Sequence, residues 1–278
     1  RSTLVADIDG AGHHWHLFVS VQPGTTMLRS IAAQSLSARQ KSRLRHVVAR
    51  FGGYRMRRVE AVVDQLIRED GARSFLQIGA NDGYMSDPLN LAIFRHGLRG
   101  SFVEPQPNYF RELQNTYRGL RGLRYVQKAI ANAPGRMTMF SLDCSSGKLP
   151  GWARGVGTLS AEQIRKFGDQ IPDIESYIRS QEVTCCTVSD LLGELDERDP
   201  DIVVVDAEGF DHAILSQFDF AQLATKLVIY ETESMDERDI TALATLFDRC
   251  GFALFAAGQD TLAIRKTTHT CASMAKQG

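Results

Sequence analysis

The chain has 278 residues, more than the ~100–150 of a modal domain and suited to one large α/β domain with extensions. With 43% hydrophobic and 23% charged residues it can bury a sizeable core, and no apolar run approaches the ~18–20 residues of a membrane helix, so membrane-helical, collagen-like and mainly disordered readings are excluded. The formal charge of −1 is uneven: residues 11–59 hold nine Lys/Arg and no Asp or Glu, leaving an acidic remainder.

The first 26 residues show no clear apolar period and are read as a leader, dispensable or non-native. Residues 27–51 look helical up to Gly52-Gly53, and residues 27–70 form a basic helical extension. Two readings stand for its charge, an arm for an anionic surface or a solvated face. A clearer helix carries Val59, Val62, Val63, Leu66 and Ile67 on one stripe and closes at Gly71. Strand 74–78 enters the turn Gly79-Ala80-Asn81-Asp82-Gly83. Asp87-Pro88 reads as a cap plus first helical residue, with the helix ending at Gly97.

Strand 100–105 precedes a helix from Pro107, and a strand spans 124–130. A turn at Ala133-Pro134-Gly135 and the strand RMTMFSL follow. Residues 144–180 break the rhythm and read as a lid-like insertion. EVTCCTV then leads into a helix at Ser189, and DIVVVDAEG (201–209) is the β-branched run of a strand buried on both faces. Helix DHAILSQF, strand KLVIYETE, helix ERDITALATLFDRC and the antiparallel pair FALFAA/TLAIRK complete residues 71–278. The expected fold is α/β: a Rossmann-like, doubly wound and mostly parallel sheet with an antiparallel C-terminal pair.

Five cysteines without CxxC spacing favour reduced thiols and a cytoplasmic setting. Adjacent Cys185 and Cys186 on a strand point to opposite faces, which argues against zinc. In such sheets the ligand sits at the carboxyl ends of the strands. There the sequence places the 79–83 turn, Glu104 as a ribose-binding acid, and Asp206-Ala207-Glu208-Gly209 with His212 one turn on. A nicotinamide dinucleotide competes for these features. GANDG is not GxGxxG, however, and Asp82 sets a carboxylate where a diphosphate would bind. A sulfonium-bearing ligand tolerates that acid, which favours S-adenosylmethionine.

FLQIGANDGYMSDPL, GSFVEPQPNYFREL, the AIAN segment and VVVDAEGFDHAIL resemble the FkbM-type S-adenosylmethionine-dependent methyltransferases over about residues 70–266. The resemblance implies a class I methyltransferase fold and O-methylation of a sugar, glycan or natural product, a small-molecule or glycan partner and no specific nucleic acid. It implies a cofactor seat of Gln77, Gly79, Ala80, Asn81, Asp82, Gly83, Glu104, Pro105 and Asp206, with Lys128 and Ala129 at the adenine edge. DAEG stands where DVEG is commoner, a mild change because Ala207 points away from the carboxylates.

Methyl transfer to a hydroxyl requires alignment and late removal of a proton. His212 is the first candidate base, with Asp206 and Glu208 orienting it or acting as bases themselves. Other readings stay open: His212 as an incidental helix residue, Glu208 in a structural ion pair, and Asp206, Glu208, Asp211, Glu231 and Glu233 around a divalent cation. Trp152 and Tyr177 are candidates to stack on a sugar ring or to pack within the insertion. His13, His14 and His16 are assigned to the leader rather than to a metal site. A non-catalytic binding module and a dinucleotide oxidoreductase remain as alternatives of other classes.

Overall fold

The computed structural model describes residues 3–8, 14–20, 25–32, 37–50, 56–195, 198–233 and 235–276, with backbone alone for the first three stretches and for residues 44 and 47–50. His13 lies outside the described residues, as do the side chains of His14 and His16.

Strands β1 (Thr3–Ile8), β2 (His14–Ser20) and β3 (Thr25–Ala32) form an antiparallel meander. The first 26 residues contribute two strands and part of a third, pairing that their lack of a clear apolar period did not report. The helix expected from residue 27 is instead α1 (Ala38–Arg50). Ser37 sets its start: the Gln40 amide donates to Ser37 Oγ, and the Ser37 amide donates to Gln40 Oε1, a reciprocal cap. Upstream, Thr25, Thr26 and Ile31 are β-branched and suit the strand that pairs with β2.

Much of the basic charge of α1 faces the protein. Arg45 is 7% exposed and lies 3.6 Å from Glu60 of α2 (Arg58–Glu69), while Arg39 donates to the Arg118 carbonyl.

The chain continues through β4 (Ser74–Ile78), α3 (Asn90–His96), β5 (Arg99–Val103), α4 (Pro107–Thr116), β6 (Leu123–Val126), β7 (Ala129–Ile130) and β8 (Gly135–Leu142). Next come β9 (Gly157–Thr158), α5 (Ala161–Arg165), α6 (Ile174–Tyr177), β10 (Ile178–Cys186), α7 (Val188–Glu194), β11 (Ile202–Val205) and α8 (Asp211–Leu215). The last elements are β12 (Leu227–Glu231), α9 (Glu237–Arg249), β13 (Phe252–Ala257), β14 (Asp260–Arg265) and α10 (His269–Met274).

Seven strands form the central sheet in the order β13-β14-β12-β11-β4-β5-β6, and β14 alone runs against its neighbours. The strand order reverses between β4 and β11, which makes their carboxyl ends the switch point of a doubly wound sheet. Alternate residues bury opposite faces. Phe75, Phe102, Val204 and Ile229 pack with α2 and α3, whereas Leu76, Val103, Val203 and Val228 pack with α7, α8 and α9. Each such side chain contributes roughly 1.5–3 kcal/mol on full burial, so both faces hold the sheet in place.

The single strand expected over 124–130 divides in two. β6 ends on the central sheet, and Ala129-Ile130 pairs with Cys185-Cys186 in a second sheet of order β7-β10-β8-β9. Cys185 and Cys186 enter different clusters, and all five cysteines are free thiols. β8 and β10 form the antiparallel arms from which the insertion projects. Helix α3 starts at Asn90, two residues after the expected Pro88, because Asp87 Oδ1 accepts the Leu89 and Asn90 amides. Among the described residues, no helix is long and apolar enough to cross a membrane.

Candidate active site

The site grows from three strand ends. After β4, the Gly79 and Ala80 amides donate to the Val103 carbonyl, at 2.9 and 3.1 Å. After β11, the Asp206 amide donates to the Ile78 carbonyl at 3.0 Å. After β5, Glu104 is 3% exposed, and each carboxylate oxygen accepts one backbone amide: Oε2 from Asn81 at 2.9 Å, Oε1 from Gln106 at 2.8 Å. Burial pushes its pKa up to about 7, against those two amides and with help from Asp206 and Asp82. The carboxylate is fixed in place, and each oxygen keeps lone-pair capacity for a further donor.

Two chambers meet here. The smaller, about 70 Å³, is lined by Glu104, Pro105, Lys128, Ala129, Phe210 and Ile214, among others. The larger, about 700 Å³, has Gln77, Ala80, Glu231 and Asp260 in its wall and the insertion on its other side. Gly79, Asn81, Thr158, Asp206 and Glu208 line both. Sequence-predicted residues from the ends of β4 and β11 therefore share one wall, and Glu104 after β5 lines the smaller chamber beside it. Lys128 pairs with Glu194, which leaves the smaller chamber without a net cation.

Asp82 and Gly83 are placed differently from the other residues of the turn. Asp82 is 6% exposed, and its Oδ1 accepts the Tyr84 and Met85 amides, at 2.9 and 2.8 Å. The Gly83 carbonyl accepts from Asn90 Nδ2 and Tyr117 Oη. Neither residue lines a chamber, and both brace the loop from behind.

Asp206 opens onto the larger chamber yet is surrounded by protein, and burial together with Glu231 and Asp260 raises its pKa. Glu208, at φ +49°, is raised by burial and by Asp206, Glu231 and Asp211. Asp211 is fully buried with Oδ1 unpartnered, and burial pushes it up as well. A left-handed non-glycine residue costs of order 1–3 kcal/mol and persists where its surroundings hold it, here at the junction of the chambers.

His212 is not at that junction. It lies on the α9 side of α8, with Nδ1 3.2 Å from Asp239 Oδ1, and lines neither chamber. His212 is the second residue of α8, and its side chain is turned toward α9 instead of the strand ends, so the structure does not bring the expected first base to the junction. Glu233 pairs with Gln259 at the rim. Among the described residues, no three His, Cys, Asp or Glu side chains are arranged to hold a metal ion. Trp152 lines the larger chamber, with its ring 5.0 Å from that of Phe167, whereas Tyr177 packs within the insertion and away from the chambers.

The insertion brings residues that the linear pattern did not single out. A Cβ on Gly155, whose φ is +95°, would stand 1.8 Å from Asn81 Nδ2, so a residue without a side chain is needed for this approach. Gln106 Nε2 donates to the Gly155 carbonyl at 3.2 Å. The sequence signal was the G-x-G of residues 155–157, which loop composition alone did not separate from an ordinary turn.

The model of the Methyltransferase FkbM domain matches residues 77–254. A comparison with curated protein sequences found no match. Among solved structures, the chain is similar to precorrin-6y C5,15-methyltransferase from Geobacter metallireducens GS-15, at 14% identity over 74% of this chain and 85% of that one, with a TM-score of 0.37. It is also similar to ribosomal protein L11 methylase from Lactobacillus delbrueckii subsp. bulgaricus, at 10% identity over 74% of each chain and a TM-score of 0.37. A third is methyltransferase FkbM from Methylobacillus flagellatus KT, at 11% identity over 82% of this chain and 58% of that one, TM-score 0.43.

Proposed function

Because the chain belongs to the FkbM methyltransferase family, we propose that it transfers a methyl group from S-adenosylmethionine to a hydroxyl of a sugar, glycan or other natural product. The smaller chamber takes the adenosine end of the cofactor at Glu104, the methionine end extends along the shared wall past Gly79 and Ala80, and the rest of the larger chamber receives the acceptor. The observation that carries this reading is the wall of Asp206 and Glu208 common to both chambers.

The residues present suit that cofactor. Glu104 offers a fixed, buried carboxylate to a pair of ribose hydroxyls. Pro105, Lys128 and Ala129 flank it at the adenine edge, and Gly79, Ala80 and Asn81 bring backbone close to the ligand. Gln77, the penultimate residue of β4, lines the larger chamber. The acids around the junction favour a cationic ligand over an anionic dinucleotide. Asp82 and Gly83 act by shaping the loop.

S-adenosylmethionine supplies the methyl group as an electrophile whose leaving group is a neutral thioether. The chain aligns the acceptor hydroxyl and removes its proton. Asp206 and Glu208, both raised above the ordinary carboxylate range, take that proton as a coupled pair. The insertion, held to Asn81 through Gly155 and to Gln106 by a hydrogen bond, walls the junction on that side.

The test is transfer of labelled methyl from S-adenosylmethionine to a panel of sugars, nucleotide sugars and glycan extracts. Label should enter a hydroxyl-bearing acceptor as an alkali-stable ether. Label found only on nitrogen, or none across a panel in which the cofactor binds, would overturn the O-methyl assignment.

A further inference from the structure

One wall of the larger chamber is built by Met85, Ser86, Asp87 and Pro88, the continuation of the loop that begins at Gly79. Ser86 is left-handed at φ +54°, as is Asn81 at +48°. A non-glycine residue keeps that conformation only where its surroundings over-determine it. Around Asn81 the loop is fixed from within the domain. The Asn81 amide donates to Glu104 Oε2, and Asp82 Oδ1 accepts the Tyr84 and Met85 amides. None of these bonds reaches Ser86.

The hold on Ser86 comes from residues that precede the matched family domain, which begins at residue 77. Arg57 lines the chamber and donates from Nη1 to the Ser86 carbonyl at 3.3 Å and from Nη2 to the Asp87 carbonyl at 2.7 Å. Glu60, 3% exposed, aligns this fork: its Oε1 is 3.2 Å from Arg57 Nη2, and its Oε2 accepts the Arg57 amide at 2.8 Å. The same Oε1 lies 3.6 Å from Arg45 of α1, whose guanidinium sits 4.5 Å from the centre of the Tyr84 ring. One buried carboxylate therefore sets two arginines, one on Tyr84 and the other on the carbonyls of Ser86 and Asp87. Charge-assisted hydrogen bonds of this kind are short and directional, and a planar fork fixes two carbonyls at once.

We propose that Arg57, aligned by Glu60, is a positioning residue that holds Ser86 left-handed and so keeps the loop from Gly79 to Pro88 in the shape that receives the methionine end of the cofactor. This rests on the methyltransferase reading above and deepens it at the same site. None of residues 85–88 lines the smaller chamber, which takes the adenosine end. Arg57 therefore acts on one half of the ligand and leaves the other alone. Its charge also faces Asp260, so the effect of the fork has to be separated from the effect of the charge.

The experiment is calorimetry on the full chain with S-adenosylhomocysteine and with 5′-methylthioadenosine, which lacks the amino-acid end. Arg57→Ala should bind S-adenosylhomocysteine about tenfold more weakly than the parent. It should bind methylthioadenosine as the parent does, which reports a folded chain and an intact adenosine seat. Arg57→Lys keeps the charge near Asp260 but not the planar fork, and should behave like Arg57→Ala. Adding Ser86→Gly to Arg57→Ala should return S-adenosylhomocysteine affinity to within about threefold of the parent, because glycine is left-handed without strain. A general loss of structure would not be repaired at Ser86. Parent-like affinity in Arg57→Ala, an equal loss for both ligands, full recovery with lysine, or no recovery with Ser86→Gly would overturn the proposal. So would a parent chain that binds S-adenosylhomocysteine but not methylthioadenosine. Failure of the parent to bind S-adenosylhomocysteine would instead sink the methyltransferase reading itself, so the two failures are distinguishable.

Discussion

A Cβ on Gly79 would stand 1.7 Å from the carbonyl oxygen of Asp206. The two strand ends on either side of the switch point therefore touch through backbone, and this contact sets how far apart the cofactor loop and the acidic wall lie. Gly79 also has φ +79°, a conformation that costs an L side chain further strain.

Gly79→Ala should therefore destabilise the chain by several kcal/mol, in the range of exceptional single substitutions, and remove cofactor binding. Thermal melting and calorimetry read the two effects. A variant that melts like the parent and binds cofactor would show that the strand ends part easily.

Glu104→Ala should weaken S-adenosylmethionine binding at least tenfold, since a hydrogen bond to a charged group is worth about 1.5–3 kcal/mol. In the parent, affinity should fall as pH drops through about 7, because the ribose hydroxyls donate to the ionised carboxylate. An affinity flat from pH 6 to 8 would remove Glu104 from the ribose.

Exchanging bases separates the roles around β11. Glu208→Gln should lower turnover by ~10²–10⁴ with cofactor affinity retained, whereas His212→Ala should keep near-full activity. The parent rate should rise with pH across the neutral range as the Asp206–Glu208 pair ionises. A dead His212→Ala with intact cofactor binding would return the proton to the histidine.

The ligand-free chain should be more stable near pH 6 than near pH 8. Burial raises Asp87 to about 6 and Glu104 to about 7, and Asp206, Glu208 and Asp211 are raised too. A carboxyl with a higher pKa folded than unfolded stabilises the fold below its unfolded value, and that contribution is lost as pH rises through the folded value. Asp201 behaves oppositely: against burial, hydrogen bonds from Lys226 and the Arg73 and Ser74 amides hold it low. Such groups are ionised in both states above about pH 5, so they add no slope in this window. Melting temperatures that rise from pH 6 to 8 would contradict the buried acids.

The strands were readable where chemistry is local and repetitive. IVVV and LVIYE carry the β-branched and apolar runs of doubly buried strands, and each lies in the central sheet as expected. Glu104 and Asp206 were legible because a strand end fixes a side chain within one residue. His212 was not, since each residue along a helix rotates the side chain by about 100°, and only packing decides whether it faces the cleft or α9. The amino-terminal meander was missed because its hairpins depend on cross-strand pairing, and Ser37-x-x-Gln40 passed unnoticed as the true helix start. Gly155 and Gln106 act through tertiary neighbours, which no spacing along the chain reports.

Calorimetry of the purified full chain with S-adenosylmethionine, S-adenosylhomocysteine and NAD tests the central claim most directly. Both sulfur compounds should bind at one site, competing with each other, while NAD gives no heat. Binding of NAD without either sulfur compound would contradict a methyl-donor seat at Glu104 and the shared wall of Asp206 and Glu208.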